Sequence, residues 1–361
     1  MTRIALDVMG GDNAPYEIVH GAVDAAANLQ DTIECVYLVG DEPVIRTELA
    51  KYPKADLSRL KIVHAPEQID MDEPPAVAVR KKKNCSINVA MDMVKRGEAD
   101  AFVSAGNSGA VAASAVFHLG RIKGVIRPAI ATVLPTRQPK RPLLLLDAGA
   151  NTDCHEEWLA QFAVMGSVYS HAVLKRTLPL VGLLSIGTED CKGNEMTKKA
   201  FPLIQKIPDI SFRGNVEGHD LFLGKTDVVV CDGFVGNVVL KTTESVAHAV
   251  GYWMKREFYR HPVRMFGALL LHGAFRALKR KMDPEIYGGA PLLGVPNTVI
   301  ITHGSSHSSA IFHAIIAGAA ASQNNVAGAI EKKIAEMTAA QNAAKEEEAN
   351  AAAAEAVAKN L

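Results

Sequence analysis

The chain has 361 residues, of which 48% are hydrophobic, 22% charged and 6% aromatic, and Lys plus Arg equals Asp plus Glu at 39 each. That balance excludes a wholly disordered chain, and it argues against a generic nucleic-acid binder, which carries a strong basic excess. A chain of this length can bury a large core without disulfide or metal staples.

Short β-branched or aliphatic runs predict strands at Arg3–Val8, Cys35–Val39, Lys61–His64, Ala101–Ser104, Ala129–Leu134, Leu143–Asp147, Leu180–Ile186, Val228–Cys231 and Val299–Thr302. Between them, Ala-rich stretches predict helices at Ile18–Leu29, Asn88–Lys95, Gly109–Leu119, Trp158–His171, Lys198–Lys206, Val238–Lys255 and Ser309–Ala321. Strands alternating with helices read as βαβ units on a mainly parallel sheet, an α/β fold. Several strands are apolar throughout, as in a sheet covered on both faces. From about Glu331 the sequence turns to Ala, Glu and Lys, which reads as a solvated, helix-permissive tail. The expected division is a main domain over 1–328, with an amphipathic insertion at about 255–282, and a tail over 329–361.

The strand ends carry the functional signal. Most run straight into Gly, Asn, Asp, Ser or His: Asp7 to Asn13 through Gly10 and Gly11, Ser104 to Gly109 through Gly106, Asn107 and Ser108, and Asp147 to Asn151. The same holds for Ile186 to Glu189, Asp232 to Asn237, and His303 to Ser306. In open parallel sheets ligands bind beyond the carboxyl ends of strands. Glycine there admits a close backbone approach, and the next helix offers free N–H groups to an anion. Six such loops point to an anion or phosphate site more than to plain turns.

No nucleotide signature is present: there is no G-x-x-x-x-G-K-[ST], and Gly106-Asn107-Ser108-Gly109 is too short for G-x-G-x-x-G. G-x-S-x-G and HExxH are also absent. The five cysteines are odd in number, widely spaced and without a CxxC pair, which fits a reducing cytoplasm. Cys154 has no histidine at a nucleophile-activating spacing and reads as inert. The N-terminus enters a strand at once, so no secretory signal is expected, and no apolar run is long enough to span a membrane.

Lys192, in Lys192-Gly193-Asn194-Glu195, is either a solvated lysine before a helix or a fixed charge for phosphate. Asn237 is either a helix N-cap or an amide donor to an anion or carbonyl oxygen. Arg80-Lys81-Lys82-Lys83 is either a solvated face or a dock for an acidic partner. Residues 255–281 hold eight basic residues against one acid, Glu257, with Val263, Phe266, Leu269, Leu270, Phe275 and Leu278 at helical spacing and a break expected at Pro262. Four readings stand for this stretch: an interfacial helix on an anionic bilayer, a core helix with a basic outer face, a dimer surface, or a dock for an acidic carrier.

Together these motifs resemble the bacterial phosphate acyltransferases, the acyl-carrier-protein:phosphate transacylases of phospholipid synthesis. The resemblance rests on Ile4-Ala5-Leu6-Asp7-Val8-Met9-Gly10-Gly11-Asp12-Asn13-Ala14-Pro15, Val103-Ser104-Ala105-Gly106-Asn107, Gly120-Arg121-Ile122-Lys123-Gly124, and Arg127-Pro128-Ala129. It continues through Asp147–Asn151, Lys192–Glu195, Gly214–Gly218, Cys231–Phe234, Tyr287–Ala290 and His303–Ser306, over about residues 3–321. Ser108, Ser185 and Val235 stand where the family pattern has Thr, Asn and Thr.

The resemblance implies a Rossmann-like three-layer αβα fold related to phosphotransacetylases and isopropylmalate-type dehydrogenases. It implies acyl transfer from acyl carrier protein to inorganic phosphate by a homodimer, with no metal or organic cofactor and no nucleic-acid partner. The enzyme would be cytoplasmic, peripherally associated with the inner face of an anionic cell membrane, and its product would pass to a downstream membrane acyltransferase. Lys192, Asn237 and His303 are then the expected catalytic residues, His303 as a proton handler for the leaving thiol or, in the other reading, as a structural cap. Asp7, Gly10, Gly11, Asn13, Ser104, Gly106, Asn107, Ser108, Asn151, Asn194 and Asp232 are expected to bind phosphate or substrate, and Phe266, Leu269, Leu270 and Phe275 to contact membrane. A phosphate or carrier sensor without chemistry, and a short-chain transacylase using coenzyme A, are the other readings.

Overall fold

The computed structural model describes residues 1–282 and 284–359. Its strands are β1 (Thr2–Asp7), β2 (Ile33–Gly40), β3 (Leu60–His64), β4 (Ala101–Ser104), β5 (Ala129–Leu134), β6 (Leu143–Leu146), β7 (Leu180–Leu184), β8 (Ser211–Val216), β9 (Val228–Val230), β10 (Ala290–Leu293) and β11 (Thr298–Ile301). They form one sheet in the order β3-β2-β1-β4-β11-β10-β5-β6-β9-β7-β8. Within the blocks β3-β2-β1-β4-β11 and β6-β9-β7-β8 every pairing is parallel. The three pairings that join the blocks, β11–β10, β10–β5 and β5–β6, are antiparallel.

The helices are α1 (Tyr16–Asn28), α2 (Glu42–Leu49), α3 (Pro75–Lys81), α4 (Ser86–Lys95), α5 (Ser108–His118), α6 (Glu156–Ala172), α7 (Glu195–Gln205), α8 (Gly233–Tyr259), α9 (Pro262–Leu270), α10 (His272–Met282), α11 (Ser308–Gln323) and α12 (Val326–Lys359). Strand residues point alternately to the two faces. In the first block Ile4, Leu6, Val36 and Leu38 meet α1 and α11, while Ala5, Val39 and Phe102 meet α4 and α5. In the second block Leu144, Leu146, Val181 and Val228 meet α6, α7 and α12, while Leu143, Leu145 and Val229 face the start of α8. The result is the three-layer α/β architecture that the alternation of elements implies.

Two strands escape the sequence reading, and both carry residues that speak against a strand. β8 contains Arg213 and Gly214, and β10 contains Pro291 although it lies between β11 and β5. Proline normally marks an edge strand because it cannot donate to the ladder. Here Pro291 pairs with Ile300 in the antiparallel junction.

The tail needs a correction. A boundary at 328 cuts α12 near its start, and the helix is not solvated beyond it: Ile330, Ile334 and Met337 are buried in the same core as Leu159 and Phe162. Their spacing puts them on one helix face. Asn360 and Leu361 of the tail lie outside the described residues.

The amphipathic stretch is not a core helix. Gly233 and Gly236 are the buried residues of α8, α9 has none, and Pro262 opens α9 after the break at His261. The arm formed by α8, α9 and α10 therefore stands away from the sheet, with Leu269 70% and Leu270 71% exposed and Phe266 also outward. Phe275 differs: it packs on Phe258, ring centroids 4.9 Å apart, and holds α10 against α8. Asp283 and the side chains of Lys279 and Arg280 lie outside the described residues.

The sheet grips α8 by its first turn. A methyl group on Gly236 would lie 1.8 Å from the Asp147 carbonyl oxygen, whereas one on Gly251, further along the same helix, would meet nothing within 4 Å. Gly236→Ala should cost about 1–3 kcal/mol of stability through forced displacement of α8. Gly251→Ala should instead be neutral or stabilising by up to about 1 kcal/mol. Denaturant unfolding of the two variants side by side checks the contrast.

Candidate active site

The loops after β1, β4 and β11 form one cluster. Asp7 ends β1 fully buried, accepting from Ser104 Oγ at 2.7 Å and from Met9 N at 3.1 Å. Ser104 Oγ in turn accepts from Gly106 N at 2.9 Å. Gly10 and Gly106 close over this pair so tightly that a methyl group on Gly10 would lie 2.4 Å from Asp7 Oδ2 and 2.7 Å from Gly106 Cα. The Asp7 and Ser104 side chains are thus sealed from any ligand, and they act by fixing the glycine backbones around them. Gly11 adopts a φ of 104°, open to glycine, which lets Asp12 N donate to Gly304 O at 2.7 Å. Asn13 Nδ2 donates to the carbonyls of Ser305 and Ser306 at 3.0 and 3.2 Å, tying the β1 loop to the β11 loop.

Asn107 is the N-cap of α5, accepting from Ala110 N at 3.1 Å, and its amide donates to Met71 O at 3.0 Å. Ser108 is exposed and opens the helix. The first-turn N–H groups of Ser108 and Gly109 have no acceptor within the helix, so they face the cluster as donors.

The second cluster surrounds Asp147, at the end of β6. Its Oδ1 accepts from the N–H groups of Ile130, Gly149 and Ala150, all at 3.0–3.1 Å. Its Oδ2 accepts from Asn151 N at 2.8 Å and Asn151 Nδ2 at 2.9 Å. Asn151 Nδ2 also donates to Pro128 O at 2.8 Å, so both of this amide's hydrogens are used by the protein. Asp232 is the N-cap of α8, accepting from Val235 N at 2.9 Å. That assignment removes the N-cap role from Asn237, which lies one turn inside the helix. Asn237 is exposed over Gly149, where an added Cβ would lie 3.5 Å from Asn237 Cβ and 3.6 Å from its Oδ1. Among the described residues its amide has no protein hydrogen bond.

The loop after β7 carries Lys192, exposed and without an ion pair among the described residues. Its stem folds over Gly187, where a methyl group would lie 2.7 Å from Lys192 Cγ. Asn194 caps α7, accepting from Thr197 N at 2.9 Å. The buried Asn215 on β8 holds the loop from below through Nδ2 to Glu189 O at 2.8 Å. Because β7 and β9 are neighbours in the sheet, this loop lies beside the Asp232–Asn237 turn.

His303 and α8 join the clusters. His303 Nδ1 is 2.7 Å from Ser305 Oγ, and His303 Nε2 is 3.0 Å from Lys241 Nζ. Lys241 also pairs with Glu244 at 3.0 Å. Lys241 is four residues after Asn237, so the two share one face of α8. Sequence reading passed over Lys241, although its i+4 spacing from Asn237 was the available signal.

Burial pushes the carboxyls of Asp7 and Asp147 above their usual range, against the hydrogen bonds that favour their charged forms. Burial likewise pushes the Cys154 thiol up to about 12, so it stays protonated and inert near neutral pH. Among the described residues no group of three or more His, Cys, Asp and Glu is arranged to hold a metal ion. What remains available is a set of exposed donors: Lys192, the Asn237 amide, the His303–Lys241 pair and the N–H groups opening α5.

Residues 2–329 match a family model described as a fatty acid synthesis protein. A phosphate acyltransferase from Elusimicrobium minutum is 50% identical over 313 residues, covering 87% of this chain and 90% of that protein. The chain belongs to the phosphate acyltransferase family. Phosphate acyltransferases from Desulforamulus reducens and a Nostoc species are 52% and 48% identical over 87% and 90% of this chain, and over 92% and 94% of their own lengths. The protein is therefore an acyltransferase of lipid synthesis. In fold it is similar to phosphotransacetylases from Streptococcus pyogenes (TM-score 0.60, 17% identity) and Staphylococcus aureus (TM-score 0.57, 18% identity), each covering 89% of this chain and 94% of the other. Among the described residues no helix is long and apolar enough to cross a membrane.

Asp147→Ala should strand several backbone N–H groups at once. At about 1–3 kcal/mol for each buried donor left unpaired, the loss should exceed about 3 kcal/mol. Asp147→Asn, which keeps one acceptor oxygen, should lose less. Denaturant midpoints at constant m-value measure the difference.

Proposed function

We propose that this acyltransferase moves a fatty acyl group from an acyl carrier protein thioester to inorganic phosphate, yielding acyl phosphate and free carrier. A phosphate oxygen attacks the thioester carbonyl, a C–O bond forms, the C–S bond breaks, and the leaving sulfur takes a proton. The observation that carries this reading is the donor set that the fold does not use. Lys192 and Asn237 are exposed beside strand-end loops in which Asp7, Asn13, Asn107, Asn151, Asn194 and Asp232 are committed to holding backbone.

Phosphate is itself a nucleophile, so the reaction needs positioning and charge stabilisation rather than an enzyme nucleophile. Lys192 and the N–H groups of Ser108 and Gly109 hold phosphate, with the backbone at Gly10, Gly11 and Gly106 shaping the approach. The Asn237 amide donates to the oxyanion that forms on the thioester carbonyl. His303, beside Lys241, returns a proton to the leaving sulfur.

The arm suits the product, which joins a long apolar chain to a charged head. Phe266, Leu269 and Leu270 lie among basic residues, a pattern that supports peripheral contact with an anionic bilayer on the cytoplasmic side. Acyl phosphate then leaves into lipid toward a membrane acyltransferase. Phe275, packed on Phe258, braces the arm rather than meeting lipid. The exposed apolar residues Val246, Val250 and Trp253 along α8 support a homodimer.

Lys192→Ala and Asn237→Ala should each lower turnover by about 10²–10³-fold, the usual cost of a lost charge-stabilising donor. Thermal unfolding should be unchanged, since neither side chain carries the fold. Acyl-phosphate formation from acyl carrier protein and phosphate is the assay, and near-normal turnover removes that residue from the mechanism. Sedimentation with anionic vesicles tests the arm: Leu269→Glu with Leu270→Glu should abolish co-sedimentation, and unchanged binding rejects the lipid contact.

A further inference from the structure

The carrier must be received somewhere, and two basic surfaces compete: the arm and the run Arg80–Lys83. We propose that the face formed by α3 and α5 docks the acidic carrier protein, leaving the arm to lipid. The proposal rests on the carrier-thioester reading above.

The first observation is charge. Arg80, Lys81 and Lys83 are exposed, and α3 has no acid in its first turn. Lys82 is committed to an ion pair with Glu73 and offers nothing to a partner. Basic residues in the last turn also suit the helix dipole. That role alone, however, leaves the neighbouring apolar surface unexplained.

The second observation is that surface. Arg80 lies over the Phe117 ring, 4.7 Å from its centroid, and Phe117 is 48% exposed near the end of α5. Val77 on α3 is 49% exposed and Met71, on the lead-in to α3, is 46% exposed. A basic rim around exposed aromatic and aliphatic side chains is the form of a protein docking site.

The third is where the face leads. Pro75, at the start of α3, abuts Gly109, and a methyl group there would lie 2.7 Å from Pro75 Cγ. Met71 reaches Gly304, with Met71 Cε 2.9 Å from where a Cβ would be, and the Asn107 amide holds the Met71 carbonyl. The apolar residues thus run from the basic rim to the mouth of the first loop cluster, beside the N–H groups that open α5. Asp70 and Asp72 are exposed on this approach and repel an acidic partner there, so its body is steered to the rim while its tethered thioester lies along the track. The arm is poorly sited for that task. From Asn237 to the end of α8 is about 33 Å at a rise of about 1.5 Å per residue.

Charge reversal separates the two surfaces. Arg80→Glu, Lys81→Glu and Lys83→Glu combined should raise KM for acyl carrier protein thioester at least tenfold at low salt, within the range that electrostatic steering spans. Its kcat, and its reaction with acyl-pantetheine, which lacks the protein, should stay as in the unaltered enzyme. Added salt should raise KM for the unaltered enzyme and barely change it for the variant. Reversing Arg256, Arg260 and Arg264 on the arm should leave KM for the carrier unchanged. An unchanged KM in the α3 variant, or a rise confined to the arm variant, overturns the docking face while leaving acyl transfer standing. No acyl phosphate from either thioester with the unaltered enzyme overturns the acyl-transfer reading and the docking face with it.

Discussion

Asp147 is a carboxylate buried where charge is costly, and it is kept there by the backbone it organises. Its oxygens accept from Ile130 on the neighbouring strand and from three successive residues of its own loop, and its carbonyl sets how closely α8 can approach through Gly236. Burial favours the neutral acid and the N–H groups favour the anion. Without this acceptor the loop under Asn237 would have unpaired donors around a buried position, and α8 would lose the surface on which it starts. Asp7 plays the corresponding part for the β1 and β4 loops, through Ser104 and the paired glycines Gly10 and Gly106.

The polar residues at the strand ends divide accordingly. Asp7, Asn13, Ser104, Asn107, Asn151, Asn194 and Asp232 satisfy backbone groups, and their value to a ligand lies in the loop shapes they hold. Lys192, Asn237, Lys241 and His303 are exposed: Lys192 lies over Gly187, Asn237 over Gly149, and Lys241 reaches His303. Among the described residues Lys192 and Asn237 have no side-chain partner, whereas Lys241 pairs with Glu244 and His303. Free donors over fixed loops are the form that electrostatic preorganisation takes, because they need no rearrangement when charge develops.

Much of the architecture could be read from the chain. Nine strands were legible as apolar runs, and the break at Pro262 from the fixed φ of proline. β8 and β10 were not, since Gly214 and Pro291 obscure them, and their strand character comes from neighbours that supply the ladder. The start of α8 was misjudged because Asp232 and Asn237 are both competent N-caps, and only the packing of Gly233 and Gly236 on the Asp147 loop selects the first. The early turns of α12 looked solvated because Ala, Glu and Lys dominate the window, yet Ile330, Ile334 and Met337 share a face that finds a core to enter.

The sequence by itself determined the alternation of strands and helices, the glycine-rich strand ends, the absence of a nucleotide loop, and the motif order that marks the family. Each is local: a period, a turn residue, a spacing. The tertiary structure alone decided which polar side chains are buried and which are exposed, because hydrogen bonds such as Asn13 to Ser305 or Asn107 to Met71 join residues far apart in the chain. It alone brought Lys241 to His303. It also set the charge of residues 255–281 on an arm away from the sheet, and placed Arg80 over Phe117 near the end of α5. Local chemistry gives each residue its capacities, and only the folded chain settles which of them are already taken.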